Sequence, residues 1–200
     1  YDEVQYTKND WRNRNQINSK QGLQWLTIPV RVESLDQKIC ETKTSFSKWN
    51  KKHWNSIIAN YGKSPGFKRN KDLFESLYLD CQTDNLSEIN LVFINAINKL
   101  LGINTEIIDS KDLILEGNKN QRLIEAVKKV GGNTYLSGPA AKSYLDESLF
   151  TKAGLTVEWK AYSNYPKYSN IHPEFHHGVS ILDVIFNNEK LSKNLITAKL

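Results

Sequence analysis

The chain has 200 residues, 39% apolar and 10% aromatic, with 27 basic against 22 acidic side chains and a net charge of +5. That is the length of one ordinary domain, with enough apolar mass for a packed core and too many aromatic residues for disorder. No apolar run approaches the roughly 18 residues a membrane span needs, and the N-terminal stretch YDEVQYTKND, polar from its first residue, does not read as a signal peptide.

The lysines are scattered, which fits a solvated surface, and a polyanionic or phosphorylated partner second. Cys40 and Cys81 have no CxxC spacing, so both are expected as buried thiols of a cytoplasmic protein. The chain starts at Tyr1 and contains no Met, so it is expected to lack its natural start.

In chain order, LQWLTIPVRV (23–32) has the β-branched, apolar character of a buried strand. TSFSKWNKKHWNSIIANYG (44–62) reads as a helix capped by Thr44 or Ser45, with Trp49, His53, Trp54, Ile57 and Ile58 at helical spacing and Gly62 as its stop. Helices follow over 67–80 and 85–102, the latter with Ser87 as cap and Gly102 as stop. The rhythm then alternates: strand 105–109, helix 120–132, strand 134–138, helix 140–154, strand 156–162 and a short buried helix over 180–187. Such alternation predicts one α/β domain with a largely parallel sheet, helices on both faces and a helical insertion over about 44–102.

The chain has no Walker A loop, GxGxxG, GxSxG, HExxH or paired CxxC. Four weaker constellations remain. DEVQYTKNDWRNRN (2–15) packs Gln5, Tyr6, Lys8, Asn13 and Arg14 into one stretch, suited to a sugar, carboxylate or phosphate, or to a solvated loop. YLSGPAAKSYLD (135–146) ends a strand in Ser137 and Gly138 just before a helix, the place where open α/β sheets collect anions and also an ordinary turn. His53 lies on the inward face of its helix, where a satisfied core histidine is the simpler reading. HPEFHHGVSILD (172–183) gathers His172, Glu174, His176 and His177, but their spacing matches no tetrahedral metal site, so none is expected. Within it, Ser180 and Asp183 fit a capping box, and Asp183 stands alone among Ile181, Leu182, Val184, Ile185 and Phe186, either satisfied by the cap or held for a function.

Taken together, DEVQYTKNDWRNRN, GLQWLTIPV and KHWNSIIANYGKSPGF, then QRLIEAVKKVGGNTYLSGPAAKSYLDESLFTKAGLTVEWKAYSNYPKY and HPEFHHGVSILDVIFN, resemble the WbqC-like proteins of bacterial surface-polysaccharide gene clusters. The similarity runs in order along nearly the whole chain. It implies a cytoplasmic enzyme of O-antigen, lipopolysaccharide or capsule biosynthesis, a transferase that attaches glycine to an amino sugar. Family members usually carry a further strand and a Gln-Pro, aromatic-rich loop before the first block. Here the chain starts inside that block, with Glu3 where a second acid usually falls, so an N-terminal strand is expected to be missing.

On that resemblance, amide formation needs an activated glycine donor, from ATP or another source, together with a base and oxyanion donors. His53 or His177 would serve as base, with Asp183 orienting the imidazole. Lys8, Arg14 and Arg122 would bind phosphate, Ser137 and Gly138 would donate to an oxyanion or phosphate, and Gln5, Tyr6 and Asn13 would hold the sugar or amino acid. The same residues would serve a non-catalytic nucleotide-sugar-binding protein. A nucleic-acid partner is not expected, since no RNP, KH or finger pattern occurs.

Overall fold

The computed structural model describes residues 1–9, 11–191 and 195–196. The chain divides into two compact units: Asp2–Thr105 with Asn164–Leu200, and Glu106–Ser163 with Tyr1.

The larger unit opens on a hairpin of β1 (Arg14–Ser19) and β2 (Gly22–Thr27), antiparallel with Gln16 opposite Trp25 and Ser19 opposite Gly22. Gly22 takes a φ of +101°, a conformation side chains rarely adopt. The Ser19 hydroxyl closes the turn by donating to the Gly22 carbonyl at 2.7 Å. Directly paired residues share a face. Ile17 and Leu26 therefore enter the core, while Trp25 and Leu23 stay exposed on the opposite side. The single buried strand expected over 23–32 is thus split. Pro29 has no N–H for a ladder, and beyond it β3 (Val30–Arg31) pairs instead with β4 (Lys43–Thr44), also antiparallel.

Three helices follow, α1 (Trp49–Tyr61), α2 (Phe67–Leu79) and α3 (Leu86–Leu101), as the spacing predicts. Their starts differ from expectation. Thr44 is taken by β4 and the Ser45 N–H by the Pro29 carbonyl, so α1 begins after Lys48. Asn85, not Ser87, caps α3, accepting from the Ser87 and Glu88 N–H groups at 2.9 and 3.2 Å. Gly102 ends α3 in the left-handed region, φ +66°. The last helix, α6 (Ile181–Asn187), is capped by Ser180 and pinned to the hairpin by the Ser180 N–H on the Gln16 carbonyl at 2.7 Å.

The core of this unit is aromatic. Trp54 stacks on Phe67 and Tyr78, and Phe186 of α6 packs against Tyr61, Phe67 and Phe74. Gly66 permits that approach: a Cβ there would strike the carbonyl oxygens of Ile185 and Asn188, and its N–H donates to the Phe186 carbonyl at 2.8 Å.

The smaller unit contains α4 (Lys119–Lys129), β5 (Thr134–Ser137), α5 (Glu147–Lys152) and β6 (Thr156–Trp159). Strands β5 and β6 run parallel, joined through a 3-10 turn and α5, over a core of Val127, Ala141, Leu145, Phe150 and Leu155. The helix expected over 140–154 is broken, because Asp146 caps α5 afresh by accepting from the Ser148 N–H at 3.0 Å. Residues 105–109 form no strand; Ile107 and Ile108 are exposed and pair with nothing in a ladder. The mixed α/β content stands. In place of one largely parallel sheet, the described residues form three two-stranded sheets, of which β5–β6 alone is parallel.

Candidate functional site

Asp183 occupies the first turn of α6, flanked by apolar residues that turn into the core, and its 0% exposure follows from that placement. A carboxylate so buried must be hydrogen-bonded. Oδ1 accepts from the Tyr61 hydroxyl at 2.6 Å and from Asn18 Nδ2 at 3.1 Å; Oδ2 accepts from the Tyr168 hydroxyl at 2.6 Å. The carboxylate does not return to its own helix as a capping box would require. The Ser180 hydroxyl caps alone, accepting from the Leu182 N–H at 3.4 Å.

Each partner comes from a different element. Asn18 is on β1, and its N–H donates to the Tyr61 hydroxyl at 3.0 Å, so that hydroxyl both accepts and donates. Tyr61 is the last residue of α1. Tyr168 belongs to the run between Asn164 and Ser180, which forms no helix or strand. Burial first, and then the Asp183 carboxylate, push both phenols above the ordinary tyrosine range, which keeps them as donors.

His172 joins this cluster from the same irregular run. It is 8% exposed, its ring meets Tyr61 edge-on at 5.6 Å, and its Nε2 is buried without a hydrogen-bond partner. Burial lowers its pKa; the Asp183 charge opposes that shift and the Lys20 charge adds to it.

The model of the WbqC-like protein family matches residues 1–194. The chain belongs to that family. It is 42% identical over 188 residues to the Uncharacterized protein Rv1507c of Mycobacterium tuberculosis, covering 94% of this chain and 81% of the relative. No solved structure matches it. Membership supports a protein associated with polysaccharide gene clusters. Among the described residues, no helix is long and apolar enough to cross a membrane.

In this WbqC-like chain the residues singled out from sequence are dispersed. His53 is 6% exposed, edge-on to Trp49 and Tyr78, with Nε2 donating to the Thr27 carbonyl at 2.9 Å. It precedes Tyr61 by eight helical residues, about 12 Å along α1, so it stands apart from Asp183. Burial lowers its pKa against the pull of the Thr27 carbonyl. His177 is exposed and reaches the cluster only through rings: edge-on to Phe175 at 4.7 Å, which is edge-on to Tyr168 at 4.8 Å. Neither imidazole bonds to Asp183, whose oxygens are taken by Asn18, Tyr61 and Tyr168.

Tyr6 is buried against Ile39 and Leu86, Gln5 bridges to the 35–38 turn through the Leu35 carbonyl, and Lys8 is exposed. Asn13 ties the two ends of the hairpin together, Nδ2 donating to the Ile28 carbonyl at 3.0 Å. The Arg14 guanidinium lies 4.2 Å over the exposed Trp25 ring. Arg122, Ser137 and Gly138 lie in the smaller unit: Arg122 near the Tyr1 ring, Ser137 at the end of β5, and Gly138 at the turn beneath the Tyr162 hydroxyl. The two cysteines are free and half-buried. His176 and Glu174 pair at the surface at 3.4 Å, and among the described residues no three His, Cys, Asp or Glu side chains converge as metal ligands.

Of the central cluster, sequence reading found Asp183 and missed Asn18, Tyr61, Tyr168 and His172 as its company. Tyr61 falls at the spacing of a core residue, and Asn18 and Tyr168 sit in polar stretches with no periodicity. The lone acid in an apolar run was the one available signal.

Proposed function

We propose that the chain is a transferase of bacterial O-antigen, lipopolysaccharide or capsule biosynthesis that places a glycyl group on the amine of a nucleotide-linked amino sugar. The observation that carries this reading is the Asp183 cluster: a fully buried carboxylate held by two tyrosines and an asparagine, with a buried imidazole against it. Acyl transfer to an amine needs a fixed polar centre, screened from water, in which proton acceptors and donors keep their geometry through the reaction. The glycyl carboxyl must arrive activated, as an ester, an acyl phosphate or an adenylate made from ATP. Arg14 and Lys8 supply positive charge for the sugar's phosphates, and His53 and His177 are the other imidazoles to be tested as bases.

The test is an intact-mass assay of UDP- or dTDP-amino sugars incubated with glycine, ATP and the protein. A gain of one glycyl group that depends on all three is expected, falling about a hundredfold in Asp183→Asn. A second reading, a non-catalytic binder of nucleotide-sugars, is favoured by Trp25, 50% exposed with Arg14 on one face, since such a ring stacks on sugars. Saturable binding without any mass change over hours would select it.

A further inference from the structure

His172 belongs to none of the catalytic candidates read from the sequence, yet its surroundings single it out. Its side chain is more than nine-tenths buried, and Nε2 has no hydrogen-bond partner. Native proteins leave few buried polar atoms unsatisfied, and each costs about 1–3 kcal/mol. His53, the other buried imidazole, spends its Nε2 on a backbone carbonyl and is satisfied. The Nε2 of His172 is therefore the buried, unsatisfied atom in a cluster whose remaining groups are matched to one another.

We propose that His172, through Nε2, accepts the amine proton in the glycyl transfer described above, on which this inference rests. In this role the ring carries its hydrogen on Nδ1 and its lone pair on Nε2, the nitrogen that no partner in the structure engages. The groups facing the ring are Tyr61 from α1, Asp183 from α6 and Lys20 from the β1–β2 turn. Burial favours the neutral form and so a ring ready to take a proton at neutral pH; the Asp183 charge then steadies the imidazolium. In the step, the sugar amine attacks the carbonyl of the activated glycyl donor. A C–N bond forms, the bond to the donor's leaving group breaks, and the amine proton passes to Nε2, directly or through one water, and on to the leaving group. Asn170 adds a second unsatisfied group two residues away, a buried Nδ2 donor without a partner, of the chemistry to meet an oxygen of the incoming molecule.

Two measurements decide it. In the full chain labelled with 15N-histidine, the spectrum at pH 7 should show His172 neutral, protonated at Nδ1 and bare at Nε2. A saturating UDP-linked amino sugar should shift the Nε2 resonance. A cationic ring, a proton on Nε2, or an Nε2 signal unmoved by the sugar would each overturn the assignment without any variant being made. In the transfer assay, His172→Gln should lower kcat about a hundredfold with KM little changed and remove the acidic limb of the kcat/KM profile. The unchanged His53 resonance would show that the variant is folded. If His172→Gln turns over like the parent, the role is lost and the transferase stands. If the parent transfers glycine to no amino sugar, the transferase reading falls, and the proton-acceptor role falls with it.

Discussion

The two oxygens of Asp183 are held differently. Oδ1 is shared by Asn18 and Tyr61, which are also bonded to each other, whereas Oδ2 rests on Tyr168 alone. Removing the Tyr168 hydroxyl therefore leaves one buried oxygen of a charged group with no donor, while removing that of Tyr61 leaves Asn18 in place. Hydrogen bonds to charged groups contribute about 1.5–3 kcal/mol each. Tyr168→Phe is expected to lower stability by that amount in urea unfolding, and Tyr61→Phe to cost at least as much through the extra loss of the Asn18 N–H acceptor. A Tyr168→Phe protein as stable as the parent would mean that Oδ2 finds another donor. Tyr168 is also a point where the irregular 164–180 run is tied to the packed helices, so the same variant should speed amide exchange around Asn170–His172. Runs of this length without regular structure are uncommon in compact domains and tend to carry function.

At the scale of elements, apolar spacing was a good guide to helices and a poor guide to what starts them. The spacing placed α1, α2, α3, α4 and α6 within a few residues, because burying one face of a helix writes a 3.6-residue period into the sequence. It pointed to Ser87 as the cap of α3, whereas Asn85, two residues earlier, is the one used. The choice is tertiary: Asn85 Nδ2 also donates to the Cys40 carbonyl at 2.7 Å, a contact from 45 residues away, while the Ser87 hydroxyl has no partner. Asn85→Ala should thus cost about 1–2 kcal/mol, and Ser87→Ala, which removes a buried hydroxyl without a partner, should cost nothing or stabilise the fold, which paired denaturation curves would resolve. The same limit explains the sheets. A run such as 105–109 has strand composition, but a strand exists only when another edge receives its N–H and C=O groups, and no local pattern reports that. The candidate site was legible at Asp183 for a related reason: an acid inside an apolar run betrays burial, whereas the donors that compensate it come from 15, 122 and 165 residues away.

For the molecule as a whole, the titrating groups divide between the two units and predict a loss of stability in acid with two stages. His53 and His172, in the larger unit, have pKa values lowered from 6.5 by burial. The folded state then binds fewer protons than the unfolded chain once the pH drops below about 6.5, so stability rises with pH across that window and is lost on acidification. Glu125 and Asp146, in the smaller unit, are held below their ordinary values, Glu125 by the Glu116 N–H and Lys129, and Asp146 by the Ser148 hydroxyl and N–H. Their contribution is fully present above about pH 4.5 and disappears as the pH falls through their folded values. Hydrogen exchange read peptide by peptide should therefore show protection falling first, as the pH drops below about 6.5, around α1 and α6, and only below about pH 4.5 around α4 and α5. The double variant His53→Gln, His172→Gln should flatten the first stage and leave the second, since Gln can still donate to the Thr27 carbonyl but takes up no proton. If both regions lose protection together at one pH in the parent, the division of the titration between the units is wrong. If the double variant keeps the first stage, groups other than these two histidines set the acid limit of the unit that holds Asp183.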